Sequence, residues 1–418
     1  MDESQVPPYA ILSHTWGPDE VTLQHFTEES QGHNDNSLKS SRGYWKIIKA
    51  CQQALQDGFH YVWVDTCCIE KTSSAELSEA INSMFRWYKN AEICYAYLDD
   101  VNVGPEVGNP DLLLLDYKNF SEDELASSRW FTRGWTLQEL VAPSEVFFYG
   151  KEWRYIDGKT SLSRILQRIT GIGASVLLGY QSIGDQSIAE RMSWMARRTT
   201  TRTEDMAYSL MGIFDVNMPL LYGEGGKAFV RLQEEIMKDS VDHSIFAWNA
   251  CRQSTLPLET LTSIFASHPN QFSGSGGIYS RKLYAKDGLE EDFPCTNRGI
   301  RIKLRIRPYE HLWYGTTYGG GFYLAVLECG VSQEGPQDAW AGIILRRLSG
   351  STSQYVRVSG PAIVPVVFGE VSEAQKQRGV VCFDEADVGK TIYLCKKLPE
   401  TISIRDYCGL LQNDMDIN

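Results

Sequence analysis

The sequence predicts an α/β fold: a mostly parallel sheet with flanking helices, then a helical segment, then a β-rich antiparallel domain. Three observations predict it. Up to about residue 158, short apolar runs alternate with stretches of helical periodicity, the pattern of strands joined by crossover helices. From Thr160 to Asp239 the periodicity is helical, and after about His243 short β-rich runs follow one another, punctuated by Gly, Ser and Pro. The expected divisions are therefore 1–158, 159–242 and 243–418.

Taken in order, Tyr9 to Ser13 reads as the first strand. Tyr44, Ile47, Ile48, Cys51 and Leu55 recur at helical spacing and predict an apolar helix face. Tyr61 to Asp65 reads as a second strand, entered through Gly58. Ser73 and Glu76 form a capping box for a helix whose stripe is Leu77, Ile81, Met84, Phe85 and Tyr88. Ile93 to Leu98 is a third strand, followed by a polar insertion from Asp99 to about Asn119. Gly134 to Val141 predicts a short helix stopped by Pro143, and Val146 to Tyr149 a fourth strand. Thr201 and Glu204 read as a second capping box ahead of a helix over Met206 to Phe214. Ala228, Phe229, Leu232 and Ile236 form the stripe of a later one. The β-rich runs are Gly299 to Ile306, Phe322 to Glu328, Ala341 to Leu345, Val380 to Phe383 and Thr391 to Leu394.

Composition narrows the function. With 40 Lys and Arg against 53 Asp and Glu, the net charge is -13, which repels nucleic acid and anionic membrane. Arg191, Arg197, Arg198 and Arg202 are the one basic cluster read from the sequence. No apolar run approaches the roughly 20 residues that span a bilayer. The acidic, polar N-terminus predicts no signal peptide, and the location expected is cytoplasmic. The ten cysteines are scattered without a C-x-x-C pair, so a zinc ribbon is not expected. Cys67 and Cys68 read as packing residues in a reducing compartment, or as nucleophiles for which the sequence offers no positioned base.

Three ordered blocks carry a resemblance. They are Tyr9-Ala-Ile-Leu-Ser-His-Thr-Trp-Gly17, Tyr61-Val-Trp-Val-Asp-Thr-Cys-Cys-Ile69 running into the helix that ends near Tyr88, and Arg129-Trp-Phe-Thr-Arg-Gly-Trp-Thr-Leu-Gln-Glu-Leu140. Two more follow: Thr203-Glu-Asp-Met-Ala-Tyr-Ser-Leu-Met-Gly-Ile213 and Leu220-Leu-Tyr-Gly-Glu-Gly-Gly-Lys-Ala-Phe229. Together they resemble the fungal heterokaryon-incompatibility (HET) family over roughly residues 9 to 248. The β-rich tail resembles the companion region found after many HET domains.

The HET domain is in turn similar in motif layout to Toll/interleukin-receptor (TIR) domains, some of which hydrolyse NAD at its N-glycosidic bond. Their catalytic glutamate lies in S-x-W-C-x-x-E-L, and Arg133-Gly-Trp-Thr-Leu-Gln-Glu-Leu140 resembles that stretch. Trp135, Glu139 and Leu140 match; Arg133 replaces the serine and Thr136 the cysteine. The resemblance implies a TIR/flavodoxin-like sheet, Glu139 as the catalytic carboxylate, and NAD as substrate with no cofactor. It also implies partners in the form of a second copy or another HET-type protein.

The residues give these roles physical sense. Trp135 and Glu139, at i and i+4, share a helix face, and an indole beside a carboxylate raises its pKa. A carboxylate near a ribose stabilises an oxocarbenium-like transition state. Ser13, His14, Trp16 and Gly17 follow the first strand and Asp65 the second, and in a parallel sheet the carboxyl ends of strands line the ligand crevice. With Arg133 and Trp135 they are the candidate substrate-binding residues. The structural alternatives are a core Trp135, a solvated Glu139 or one paired with Arg133, a His14 bonded to a backbone carbonyl, and an Asp65 that caps a loop. Arg197, Arg202, Glu204 and Asp205 read as an ion-pair network or a phosphate clamp. Gly223-Glu-Gly-Gly-Lys227 lacks the spacing and the hydroxyl of a phosphate loop and reads as a glycine turn. The functions in view are TIR-like NAD hydrolysis in self/non-self recognition and cell death, a non-catalytic interaction module, or a recruited biosynthetic enzyme.

Overall fold

A computed structural model of the chain describes residues 6–30, 36–104, 119–249, 261–281, 292–309, 321–332, 339–358, 363–368, 380–383 and 389–398, with a few isolated residues between them. Most of the predicted insertion, residues 105–118, lies outside these; at its base Val103 bridges Phe120. The chain divides into two compact units. One is Met1–Asp185 with Arg197–Ala228, the other Gln186–Ala196 with Phe229–Asn418. The 159–242 stretch is thus shared between the two units rather than forming one extension of the first.

The first unit is a mixed α/β layer structure. Its strands are β1 (Ala10–His14), β2 (Val62–Val64), β3 (Ile93–Tyr97), β4 (Val146–Gly150) and β5 (Arg154–Gly158), in the order β2-β1-β3-β4-β5. The first four are mutually parallel, and β5 returns antiparallel to β4. The helices preceding β4 are α1 (Leu23–Ser30), α2 (Asn36–Lys39), α3 (Arg42–Gln56), α4 (Ser74–Asn90), α5 (Glu122–Ala126) and α6 (Thr136–Val141).

Strand alternation sorts the two faces of the sheet. Ala10, Leu12, Val64, Ile93, Tyr95 and Tyr97 pack with Ile47, Ala50 and Ala54 of α3. Ile11, Ser13, Cys94 and Ala96 point the other way, and α4 and α6 pack on each other. The α3 stripe is rotated from the predicted one: its buried line is Gly43, Lys46, Ile47, Ala50 and Ala54, and Leu55 is exposed. Small alanines let the helix lie close to the sheet, which the predicted line of larger residues does not. In α4 the predicted stripe holds at Ile81, Met84 and Tyr88, and Ser73 caps the helix by accepting from the Glu76 amide.

Between β4 and β5, Glu152 and Trp153 both adopt φ 57°, a conformation that side chains rarely tolerate. It seats the Trp153 indole in stacks with Tyr149 and Tyr97, with ring centroids 4.9 and 5.3 Å away. The helix predicted over Met206 to Phe214 is two short ones, Asp205–Tyr208 and Met211–Phe214. The predicted Thr201–Glu204 box is not formed. Glu204 stands at the N-terminus of the first helix without a side-chain cap, because its carboxylate is engaged elsewhere: Oε1 accepts from the Gly223 and Gly225 amides at 2.8 and 3.0 Å. Gly223 and Gly225 both have positive φ, so the glycine turn read from the sequence is the conformation that presents those amides.

Gly212 sits against Phe85 of α4, where a Cβ would lie 2.1 Å from the Phe85 Cβ. Gly212→Ala is expected to destabilise the first unit by about 3 kcal/mol, the upper part of the overpacking range. An unchanged urea midpoint would mean that the two helices can part at no cost.

The second unit is β-rich. Strands Gly299–Pro308, Phe322–Val331, Trp340–Arg347, Gln354–Val358 and Lys390–Leu394 pair in succession. The last pairs back with the first, so the five form a closed, barrel-like ring. The expected all-antiparallel arrangement is corrected at two places. Gln354–Val358 runs parallel to Lys390–Leu394, and Val364–Phe368 parallel to Val381–Phe383. The short Gln354–Val358 and Val364–Phe368 strands carry little alternation and were not legible as β runs. Arg357 is buried inside this unit. Its guanidinium lies 4.0 Å from the Trp248 ring centroid and donates to the Phe246 and Trp248 carbonyls, tying the 243–248 segment to the strands.

Candidate functional site

Two side-chain groups meet at the carboxyl ends of β1 and β2. The first is buried. Ser13 points to the α6 face of the sheet, and its Oγ donates to Glu139 Oε2 at 2.5 Å, joining residues 126 positions apart. The Ser13 hydroxyl in turn accepts from the Trp130 indole Nε1 at 2.8 Å. Trp130 is held by the Arg129–Thr132 turn, which Ser128 caps. Ser128 donates to Asp100 Oδ1, just past β3, and Asp100 Oδ2 accepts from the Arg129 amide. Phe131 and Phe148 flank the indole edge-on.

Glu139 is 5% exposed, and its pKa is pushed up to about 8. Burial is the main cause, and the negative charge of Asp65 adds to it. The Ser13 hydrogen bond and the charges of Arg198 and Arg133 oppose it. At neutral pH the carboxyl is mostly protonated. Burial, with the charges of Glu139 and Asp65, also raises the pKa of Tyr88, whose hydroxyl donates to the Leu12 carbonyl at 3.1 Å.

Arg198 braces this group from behind. It is 3% exposed and donates through Nη1 to the Arg133 carbonyl at 2.8 Å and to Thr136 Oγ1 at 2.9 Å. The Thr136 hydroxyl itself donates to the Trp130 and Arg133 carbonyls. Burial lowers the pKa of Arg198 to about 9, against the attraction of Glu139. The backbone at 132–134 is pinned to Thr199 by two hydrogen bonds: the Thr199 amide donates to the Thr132 carbonyl at 2.7 Å, and the Gly134 amide to the Thr199 carbonyl at 2.9 Å.

The second group is more open. His14 Nε2 lies 3.1 Å from Asp65 Oδ1, and its Nδ1 lies 2.8 Å from Lys46 Nζ. An ammonium only donates, so Nδ1 accepts and Nε2–H donates to Asp65, which assigns the neutral tautomer. His14 is therefore held by side chains on both nitrogens, and the backbone carbonyl of Thr15 also lies 3.4 Å from its Nδ1. Lys46 also pairs with Glu20 at 2.5 Å, and Glu20 accepts from the Gly17 amide at 2.6 Å. Asp65 Oδ2 accepts from the Trp16 indole at 2.8 Å, and Lys71 Nζ sits 3.7 Å from the Trp16 ring centroid. Burial raises the Asp65 pKa, but hydrogen bonds from His14 and Trp16 and the Lys71 charge outweigh it and hold it below the usual value. Trp16 is 52% exposed and offers an aromatic surface at the rim.

The structure thus brings Ser13 and Glu139 into contact, bonds His14 and Trp16 directly to Asp65, and links Gly17 to them through Glu20, Lys46 and His14. It does not bring Trp135 to Glu139. Trp135 ends the turn before α6, and its indole bonds Asp205, which also accepts from Tyr222 at 3.0 Å. The indole that meets the Ser13–Glu139 pair is Trp130. The i, i+4 spacing along one helix points to Trp135, whereas the indole that makes the contact sits in the turn before that helix. Arg133 reaches Thr201 Oγ1 at 3.0 Å. Arg202 stacks on Tyr222 at 4.4 Å. Glu20 Oε2, Thr66 Oγ1 and Gln138 Nε2 are among the buried polar atoms with no hydrogen-bond partner among the described residues. No group of three metal-ligating side chains occurs among the described residues. No helix there is long and apolar enough to cross a membrane.

An α/β unit whose β1, β2 and 129–140 segments converge in this way carries the three sequence blocks at one end of its sheet. Residues 9–139 match the family model described as heterokaryon incompatibility protein (HET), so this stretch is similar to a HET domain. Residues 227–274 match a domain of unknown function, DUF8212. The chain is 48% identical over 242 residues to the vegetative incompatibility protein HET-E-1 of Podospora anserina, an alignment covering 57% of this chain and 17% of that protein. No solved structure matches the chain.

Proposed function

We propose that the chain acts in heterokaryon incompatibility, the discrimination of self from non-self on cell fusion, and that its HET unit does so by hydrolysing the N-glycosidic bond of NAD. The printed name of the Podospora relative and the HET match support the first part. The single observation that carries the second is the buried Ser13–Glu139 contact at the point where the strand order reverses between β1 and β3. That order is the one in which doubly wound, flavodoxin-like sheets bind ligands at the carboxyl ends of their strands.

The chemistry follows from charge. Glu139 is neutral at rest, and a cationic pyridinium brought beside it favours the carboxylate. The carboxylate then faces the ribose carbon as the bond to nicotinamide breaks, stabilising the oxocarbenium character that develops. Ser13 holds the carboxyl oxygen in place, and Trp16 offers a ring on which a planar base stacks. Because the carboxyl is 5% exposed, access requires α6 or the 129–135 turn to move, which fits activation by association with a second copy or another HET protein. The test is nicotinamide release from NAD by the crosslinked or concentrated protein. Glu139→Gln is expected to lower release by about 100-fold. Equal release from both proteins, or none from the assembled wild type, rejects the hydrolase.

The same burial favours a second reading, in which Trp130, Ser13 and Glu139 form a latch fixing α6 to β1 and the unit signals by binding alone. Under it, Glu139→Gln preserves the hydrogen bond from Ser13 and leaves the incompatibility reaction intact.

A further inference from the structure

The exposed indole at the rim already holds a cation on one face. Lys71, in the turn between β2 and α4, places its ammonium 3.7 Å from the centroid of the Trp16 ring. The same indole donates from Nε1 to Asp65 Oδ2 at 2.8 Å, and a ring that donates to a carboxylate carries more negative charge on its faces. Glu20 supplies a second carboxylate. Its Oε1 accepts from Lys46 and the Gly17 amide, while its buried Oε2 has no hydrogen-bond partner among the described residues. An aromatic face with two carboxylates about it favours a cation.

We propose that Lys71 is the resident cation of a subsite for a planar organic cation, an N-substituted pyridinium, and that it must leave the Trp16 face before such a ligand stacks there. The choice of a pyridinium rests on the proposed NAD chemistry; the subsite itself does not. Lys71 sets specificity by charge. A neutral ring of the same shape also has to displace the ammonium, and it gives Asp65 and Glu20 nothing in return. A pyridinium brings its own charge, so the carboxylates keep a cation beside them throughout.

The electrostatics agree with the geometry. Burial lowers the Lys71 pKa, and the charges of Asp65 and Glu20 oppose the fall. The ammonium therefore sits in a place that costs it hydration and is held there by the carboxylates and the ring. Hydrogen bonds from His14 and Trp16 outweigh burial at Asp65 and keep its pKa below the usual value, so its charge persists at neutral pH. Release of the ammonium needs only rotation of its flexible stem, not movement of a helix.

The experiment titrates the full chain with ring-N-methylated nicotinamide, a pyridinium with no glycosidic bond, and with neutral nicotinamide, following the ligand resonances by NMR. Lys71→Ala is expected to bind the pyridinium about tenfold more tightly than the unaltered chain does, and about tenfold more tightly than it binds nicotinamide. Lys71→Arg, which keeps a cation on the ring, is expected to bind like the unaltered chain. Adding Trp16→Leu to Lys71→Ala is expected to abolish the gain. A pyridinium that binds Lys71→Ala no better than the unaltered chain, equal binding of both ligands by Lys71→Ala, or a gain that survives Trp16→Leu overturns the proposal. Nicotinamide release from NAD by the same chains separates this from the hydrolase. Tightening without release leaves the cation subsite and removes the enzyme, and release without tightening does the reverse.

Discussion

Replacing Glu139 with glutamine is expected to flatten the pH dependence of the first unit's stability between about pH 4.5 and pH 8. In the folded chain the Glu139 pKa is raised to about 8, while in the unfolded chain it returns to about 4.3. Below the unfolded value both states are protonated and the group has no pH effect. As pH rises, the unfolded chain gains by ionising and the folded chain does not, so stability falls until both are ionised above pH 8. At pH 7 the loss is about 4 kcal/mol, from about 1.4 kcal/mol for each pH unit above the unfolded value. Asp65 acts with the opposite sign: its folded pKa is lowered, so its contribution is present above its unfolded pKa and is lost as pH falls through its folded value. Glutamine at 139 leaves Asp65 nearly untouched, so the difference between the two profiles isolates Glu139. Urea midpoints at pH 5 and pH 8 measure it. Parallel profiles would mean that Glu139 ionises in the folded state like a surface carboxylate, and the neutral-acid site would be lost with it.

Much of this site was legible because it depends on strand ends and helix starts, which local sequence encodes. Short apolar runs over Ala10–His14 and Ile93–Tyr97 give the strands, and the polar residues that follow them mark the rim. Ser13 and Asp65 could be named that way, while Glu139 follows from the resemblance of residues 133–140 to the TIR stretch. What local pattern does not encode is which distant polar atom satisfies a buried one. Trp130 and Trp135 sit five residues apart with similar neighbours, and only the fold decides that one turns to Ser13 and the other to Asp205. Glu204 has the spacing of a helix cap yet serves Gly223 and Gly225, because two amides from a glycine turn outcompete one at its own helix. The β-rich unit repeats the lesson. The long strands announce themselves, while Gln354–Val358 is a strand only because Trp340–Arg347 and Lys390–Leu394 flank it.

Arg198 is the clearest case of a residue whose sequence role and structural role differ. Beside Arg197 and Arg202 it reads as part of a surface basic cluster, but it is buried and Arg197 is exposed. Arg198→Met is expected to have two separable effects. Removing the guanidinium takes the charged donor from the Thr136 oxygen and from the Arg133 carbonyl, which keeps only the Thr136 hydroxyl, and this costs about 3 kcal/mol of first-unit stability. It also removes a positive charge that opposes the rise in the Glu139 pKa, so the Glu139 midpoint should move above 8. Arg198→Lys separates the two: the charge remains and the paired hydrogen bonds do not, so stability falls while the midpoint stays near 8. The midpoint is read from the pH profile of each variant against its Glu139→Gln double mutant, which cancels every other titrating group. A midpoint unmoved in Arg198→Met would show that the arginine is a brace for the 133–136 backbone alone, and that burial and Asp65 set the acidity of Glu139 without it.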